Sequence, residues 1–345
     1  MTGYVVIQRN PHSGTRRRSH HILALIQGLK AAGLTPRLFS HRARLDAFIA
    51  SHQANSTIRA MVAAGGDGTV DDLLNRHPEI PLAILPLGTE NLLAKYLGFQ
   101  RNGAWLAPRI AVGRLRRMDL ARANGRLFCT VASVGFDASI VHHVHANRAG
   151  HASRWSYFFA FLRHLVSYRL TPLTVTVTTP AGTSTHHATQ VFVSNVPKYA
   201  MQLPIGRGGD EADGLLEVQM MDLPHIPALL WAIAWLFLGR NSGIRQQATD
   251  VRITTRTPRP PGAPPLAEVA VEVDGDPAGT TPVHMTISPR ALTIIDTRPP
   301  DQHTTEPLPL RVQSPMPNPV PNPVLARDLS HAPPAHSLSL SQPPL

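Results

Sequence analysis

"AAGGDGTV", residues 63–70, closes the apolar run "AMVAA" (60–64) and leads into Val70, Leu73 and Leu74, which recur at helical spacing. Three glycines within four positions forgo side-chain packing and lose more conformational freedom on folding than any other residue, so the stretch predicts a strand-to-helix loop that needs bare backbone. A loop of this kind turns several backbone N–H groups and the positive end of a helix toward an anion, and phosphate is the anion that suits it. A branched residue at Gly66 is therefore expected to block phosphate while leaving the fold intact.

A second stretch repeats the pattern. "ILPLGTEN" (84–91) ends a strand run and opens a helix through Leu93, Ala94 and Leu97. Two such loops on one sheet would hold a single nucleotide from two sides, which is more specific than either loop alone.

Outward from these loops, "YVVI" (4–7) reads as a buried strand, and "RLFS" (37–40), "AMVAA" and "PLAILPL" (81–87) as the second, third and fourth strands. They alternate with helical spacing at Ile22, Leu25, Ile26 and Leu29, and at Leu45, Phe48 and Ile49, which predicts a parallel sheet covered on both faces. Beyond about residue 120 the texture changes to two-residue alternation in "TVTVT" (174–178), "QVFVSN" (190–195), "LEVQM" (216–220) and "EVAVEVD" (268–274), the mark of antiparallel sheet. Apolar helical segments interrupt it near 153–167 and 225–239, and "ALTIID" (291–296) reads as a closing strand. From about Pro299 the chain is too rich in proline and short polar residues to bury a core.

The net charge of +11 over 345 residues is carried almost wholly by arginine, densest in "GTRRRSHH" (14–21) and "GRLRRMD" (113–119), and favours anionic partners. No aromatic residues interleave with these runs as in single-strand readers, so no nucleic-acid partner is expected. The single cysteine, Cys129, rules out an intramolecular disulfide, and "MTGYVVIQRNP" lacks the pattern of a secretory signal; both point to a reducing, cytoplasmic setting. The apolar runs "WSYFFAFL" (155–162) and "PALLWAIAWLFLG" (227–239) are shorter than a membrane span.

Taken together, "NPHSG" (10–14), "GGDGT" (65–69) and "PLGTEN" (86–91) resemble the diacylglycerol kinase catalytic-domain family, soluble bacterial lipid kinases related to sphingosine kinases and more remotely to NAD kinases. The resemblance runs from about Tyr4 to Asp296. It implies an N-terminal doubly wound α/β domain (1–120, completed by 288–298), a C-terminal antiparallel β-sandwich (121–287) and a nucleotide in the cleft between them; composition, not the resemblance, makes 299–345 a disordered Pro-rich tail. Asn10, Ser13, Ser40, Gly65, Gly66, Asp67, Gly68, Thr69, Val70, Asp71, Thr89 and Asn91 would surround ATP. The implied activity is transfer of the ATP γ-phosphate to a hydroxyl of a diacylglycerol-like or sphingoid-like lipid, with peripheral contact to an anionic membrane surface and a homodimer as one assembly. A kinase of a soluble polyol or nucleotide, and a nucleotide-binding regulatory module with little turnover, stand as alternatives.

On the acceptor side, "ADGLLEV" (212–218) resembles the family's magnesium loop, with the Asp213 carboxylate and the carbonyls of Leu216 and Val218 as oxygen ligands for Mg2+; an Asp-Gly turn feeding a strand accounts for the same residues. "VEVDGDPAG" (271–279) resembles the Asp-Gly-Glu motif, with Asp276 in place of the glutamate that acts as general base. Asp71 and Asp72 stand where the family has asparagine and glutamate, and Leu92 where it has aspartate. Asp119 matches a family aspartate linked to the metal network and also suits a salt bridge to its neighbouring arginines. His142, His143 and His145 fall around a helix circumference and read as surface or cavity-wall residues, and Cys129 reads as core.

Overall fold

The computed structural model describes residues 3–10, 19–53, 57–147, 154–197, 210–238, 240, 243–256 and 268–298. Ser13 and the 299–345 tail therefore lie outside the described residues. The first half alternates strand and helix: β1 (Tyr4–Arg9), α1 (Ser19–Ala31), β2 (Thr35–Phe39), α2 (Arg42–Gln53), β3 (Ile58–Gly65), α3 (Asp67–Arg76), β4 (Leu82–Pro86), α4 (Leu92–Tyr96) and α5 (Gly103–Val112). The second half holds β5 (Leu115–Ala123), β6 (Arg126–Phe128), β7 (Val131–Val134), α6 (Phe136–Ala146), α7 (Arg154–Ser167), β8 (Leu173–Thr179), β9 (Gly182–Ala188) and β10 (Gln190–Ser194). It continues through β11 (Leu216–Met221), α8 (Ile226–Phe237), β12 (Ile244–Ala248), β13 (Asp250–Thr255), β14 (Ala270–Val273), β15 (Asp276–Thr280) and β16 (Val283–Ile295).

Periodicity explains the first half well. Ile22, Leu25 and Leu29 form the buried stripe of α1, and the helix stops at Gly33, whose φ of +75° lets Leu34 N–H reach back to the Leu29 carbonyl at 3.0 Å. Val5, Val6 and Ile7 of β1 are wholly buried between β2 and β3, both parallel to it. The order β2-β1-β3-β4 reverses direction at β1, so the carboxyl ends of β1 and β3 flank a topological switch point.

The closing strand begins earlier than its apolar motif. β16 runs for 13 residues, and the "ALTIID" motif supplies only its last five, Ala291 to Ile295. Met285 pairs antiparallel with Val251 of β13, Ile294 pairs parallel with Leu82 of β4, and β5 follows β16 along both halves with a register shift between Ser288 and Leu292. One ten-stranded sheet therefore carries the parallel half and one layer of the sandwich. The second layer is the antiparallel sheet β12-β11-β10-β7-β14-β15. Alternate residues of the two layers, among them Val175, Val191, Val218, Val251, Val271 and Met285, close the sandwich core.

Candidate active site

The loops that follow the parallel strands gather the proposed nucleotide residues along one edge of the sheet. Asn10 follows β1, Ser40 follows β2, Gly65 ends β3, and Thr89 lies beyond β4. Ligands bind at this edge in open parallel sheets.

The three glycines of the first loop serve different needs. A Cβ on Gly65 would fall 2.1 Å from Thr69 Oγ1, a buried hydroxyl with no hydrogen-bond partner among the described residues. A Cβ on Gly66 would approach the Cα of Gly88, in the second loop, to 3.2 Å. Gly68 is exposed, and a Cβ there would meet only Asp276 Oδ2, at 4.0 Å. None of the three has a positive φ, so at Gly65 and Gly66 close approach rather than backbone twist requires glycine, while packing leaves Gly68 room for a Cβ. The expectation that a branched residue at 66 would spare the fold is corrected by this loop-to-loop contact. Val70 is buried beneath the loop and also lines the cleft.

The two loops are tied by side chains as well. Asp67 Oδ1 accepts from Leu92 N at 2.7 Å, at the first turn of α4. Asn91, buried with φ of 51°, accepts from Gly88 N and donates to the Gly88 carbonyl, both at 3.0 Å. Asp67 and Asn91 thus set the shape of the paired loops. Burial raises Asp67 to about 6; the Leu92 and Asn91 N–H groups oppose the rise and the Asp274 charge adds to it.

Asp274 and Asp276 leave the sandwich half toward this loop, with unlike surroundings. Asp274, at φ of 50°, accepts from Cys129 N (3.0 Å), Thr130 N (2.9 Å), Val131 N (3.1 Å) and the Thr130 hydroxyl. Asp276 is part-exposed, with Arg126 Nη2 3.4 Å from one oxygen and His145 Nε2 3.2 Å from the other. Asp71 completes the cluster: its Oδ2 accepts from Arg126 Nη2 at 2.9 Å and its Oδ1 from Asn75 Nδ2 at 3.1 Å. Burial raises Asp71 to about 6 against the pull of Arg126, with Asp274 and Asp276 pushing it further up. Asp72, by contrast, faces away, bonded to Gln8, Arg42 and Arg76. Asp67, Val70, Asp71, Leu92, Leu93, Cys129, Thr130 and Asp274 line one cleft. Burial pushes the Cys129 thiol well above its ordinary range, which leaves it an inert wall residue.

The residues proposed for magnesium are arranged otherwise. The exposed Asp213 carboxylate accepts from Leu215 N at 2.9 Å and from Asp210 N at 3.4 Å, closing its own turn. Val218 lies in mid-ladder between Val193 and Gln246, and Leu216 at the start of β11 opposite Ala248. Among the described residues no group of three or more His, Cys, Asp or Glu is placed to hold a metal, so a cation at this turn would rest on the Asp213 carboxylate and backbone carbonyls. Asp119 is corrected in one respect. It pairs not with neighbouring arginine side chains but with the backbone N–H groups of Gly214 and Arg290, both at 2.6 Å, pinning the Asp213 turn to the β16 irregularity.

The α6 histidines diverge, as their spacing suggests. His142 Nε2 is 2.7 Å from the Val271 carbonyl, His143 stacks edge-on against His164, and His145 alone of the three reaches Asp276. Arg126 and His145 were not legible as site residues: an arginine after an Asn-Gly turn and a histidine on a helix carry no local signature.

Two family models match this architecture. The diacylglycerol kinase catalytic domain covers residues 4–123, and the YegS C-terminal NAD kinase beta sandwich-like domain covers residues 130–296. The chain belongs to the diacylglycerol kinase catalytic-domain family. This diacylglycerol kinase family member is 25% identical over 245 residues to an uncharacterised protein of Synechocystis, a match taking in 68% of this chain and 54% of the relative. It is 26% identical over 172 residues to a diacylglycerol kinase of Bacillus subtilis, over 48% of this chain and 57% of the relative. The matches thus span about half the length of these relatives. The crystal structure of a diacylglycerol kinase from Bacillus anthracis superposes with a TM-score of 0.61 at 19% identity, covering 86% of this chain and 97% of that one, a likeness of fold. Between the two matched segments of this family member lies β6, the strand that brings Arg126 to Asp71 and Asp276.

Proposed function

We propose that the chain transfers the γ-phosphate of ATP to a hydroxyl of a diacylglycerol-like or sphingoid-like lipid, with Asp276 as the general base. One observation carries this reading: the exposed, side-chain-free Gly68 at the start of α3 faces the Asp276 carboxylate, so a phosphate on the loop and an acceptor hydroxyl would meet between them. The α3 N-terminus and the bare backbone suit phosphate oxygens, with Asn10, Ser40 and Thr89 along the same edge and Ser13 carried from the resemblance. Asp276 takes the hydroxyl proton as the acceptor oxygen bonds to phosphorus and the bond to the departing nucleoside diphosphate breaks. Magnesium would enter with ATP and neutralise phosphate charge.

A lipid acceptor is supported by the α6, α7 and α8 surface. These helices share an apolar cluster around Phe136, Ile140, Ala160 and Leu229, yet leave Phe159, Leu162, Leu230, Trp231 and Leu238 exposed. With a net charge of +11, such a face suits an anionic bilayer surface. No helix among the described residues is long and apolar enough to cross a membrane.

The test is incubation with labelled ATP, magnesium and a total lipid extract, followed by organic extraction. Label in the organic phase is expected, with a loss of about 10²- to 10⁴-fold in Asp276→Asn. A labelled product confined to the aqueous phase would replace the lipid by a soluble acceptor. A rise in melting temperature with ATP and no transfer would replace catalysis by nucleotide binding.

A further inference from the structure

Asp71 and Asp276, two positions at which this chain departs from the pattern it resembles, meet at one nitrogen. Arg126 Nη2 lies 2.9 Å from Asp71 Oδ2 and 3.4 Å from Asp276 Oδ2, while Nη1 donates to the Pro277 carbonyl at 2.8 Å. The three contacts join α3, which leaves the glycine loop, to the first two residues of β15. The strand that carries Arg126 is itself fixed to α3. Asn75 Nδ2 donates to the Leu127 carbonyl at 3.1 Å and Asn75 Oδ1 accepts from Leu127 N at 2.8 Å, so a side-chain amide pairs with β6 as a neighbouring strand would.

We infer that Arg126 is a positioning residue that holds Asp276 against the phosphate loop, an inference that rests on the reading of Asp276 as general base. Asp276 is one methylene shorter than the glutamate it replaces, so its reach depends on where its backbone and carboxylate are held. Asp71 anchors the guanidinium from the α3 side and the Pro277 carbonyl from the β15 side. Nη2 then holds one Asp276 oxygen while Nη1 holds the next residue's carbonyl, a two-nitrogen geometry that a single ammonium cannot reproduce. His145, at 3.2 Å from the other oxygen, leaves Asp276 tethered to α6 alone when Arg126 is removed. A displacement of about 1 Å at a reacting group costs up to about 100-fold in rate, which is the scale of effect a tether of this kind controls.

The experiment combines kinetics, titration and crystallography on the full chain. Arg126→Gln is expected to lower kcat by about 10- to 100-fold with KM for ATP changed less than about 2-fold, and Arg126→Lys to recover part of the loss. In an Asp276→Asn background the same Arg126→Gln change should cost less than about 3-fold, because the group it positions is gone. Equal losses in both backgrounds, or full activity in Arg126→Gln, would overturn the inference. Two readouts are independent of activity. The Asp71 carboxyl, faced by Arg126, Asn75, Asp274 and Asp276, should titrate above its parent value of about 6 by carbon NMR in Arg126→Gln. A crystal structure of that variant should show Asp276 released from α3. An unmoved Asp276 refutes the tether even if no acceptor is phosphorylated, whereas a parent rate in Asp276→Asn refutes the general-base reading while leaving the tether measurable. If Arg126→Gln does not fold, Arg126→Met, which keeps an apolar stem and removes the charge, is read on the same titration and structure, with the same outcomes deciding.

Discussion

Replacing Asp274 and Asp276 separately by asparagine should split stability from catalysis, although the two stand two residues apart. Asp274 Oδ1 accepts from Thr130 N, Val131 N and the Thr130 hydroxyl, and Oδ2 accepts from Cys129 N at 3.0 Å. An asparagine tolerates the φ of 50° and can keep the first set on its carbonyl oxygen, but its NH2 then faces the Cys129 N–H, donor against donor. Losing one charge-assisted bond and stranding a buried donor costs about 2–4 kcal/mol. At roughly 2–4 °C per kcal/mol for a domain of this class, Asp274→Asn should melt about 4–16 °C below the parent. Asp276 has two longer contacts, at 3.4 and 3.2 Å, and is 28% exposed, so Asp276→Asn should cost less than about 1 kcal/mol and shift melting by no more than about 4 °C. Its phosphoryl transfer should nevertheless fall by about 10²- to 10⁴-fold. Differential scanning calorimetry beside the labelled-ATP assay reads both. An Asp274→Asn protein that melts with the parent, or an Asp276→Asn protein that is the less stable of the two, would refute this division of labour.

Asp67 and Asp71 add a pH dependence. Each titrates near 6 in the folded chain, above the ordinary carboxylate range, so between about pH 4 and 6 the folded state binds more protons than the unfolded one and stability falls as pH rises through that window. Thermal melts from pH 4 to 7 should show that decline, flattened in both Asp67→Asn and Asp71→Asn; parallel profiles would contradict it. In the glycine loop, Gly68→Ala should leave melting unchanged, since Gly68 is exposed, but weaken ATP binding about 10- to 100-fold by isothermal calorimetry, the cost of one or so lost hydrogen bonds to a charged oxygen. Gly66→Val should lose both affinity and stability because its side chain strikes the Gly88 backbone, and a variant that binds and melts like the parent would show that the loops can part.

The parallel half was legible because its signals are local. A buried strand, a glycine loop and a helix with Val70, Leu73 and Leu74 on one face occupy consecutive residues, and their spacing alone places the loop at a sheet edge. The same holds for the Asp-Gly turn before Asp276 and for the alternating strands β8, β10, β11 and β14. Alternation tells which side chains face a core but not which strand lies beside which. Hence the long pairing of β16 with β5, β13 and β4, which merges the parallel half with one sandwich layer, emerged only from the fold. Partners far apart in sequence were hidden for the same reason. Arg126 reaches Asp276 across 150 positions, Asp274 finds its donors at Cys129, Thr130 and Val131, and Gly66 owes its missing side chain partly to Gly88. The residue type announces that a carboxylate or a glycine matters; whether that carboxylate is buried under backbone N–H groups or left free to take a proton depends on what the tertiary structure packs against it.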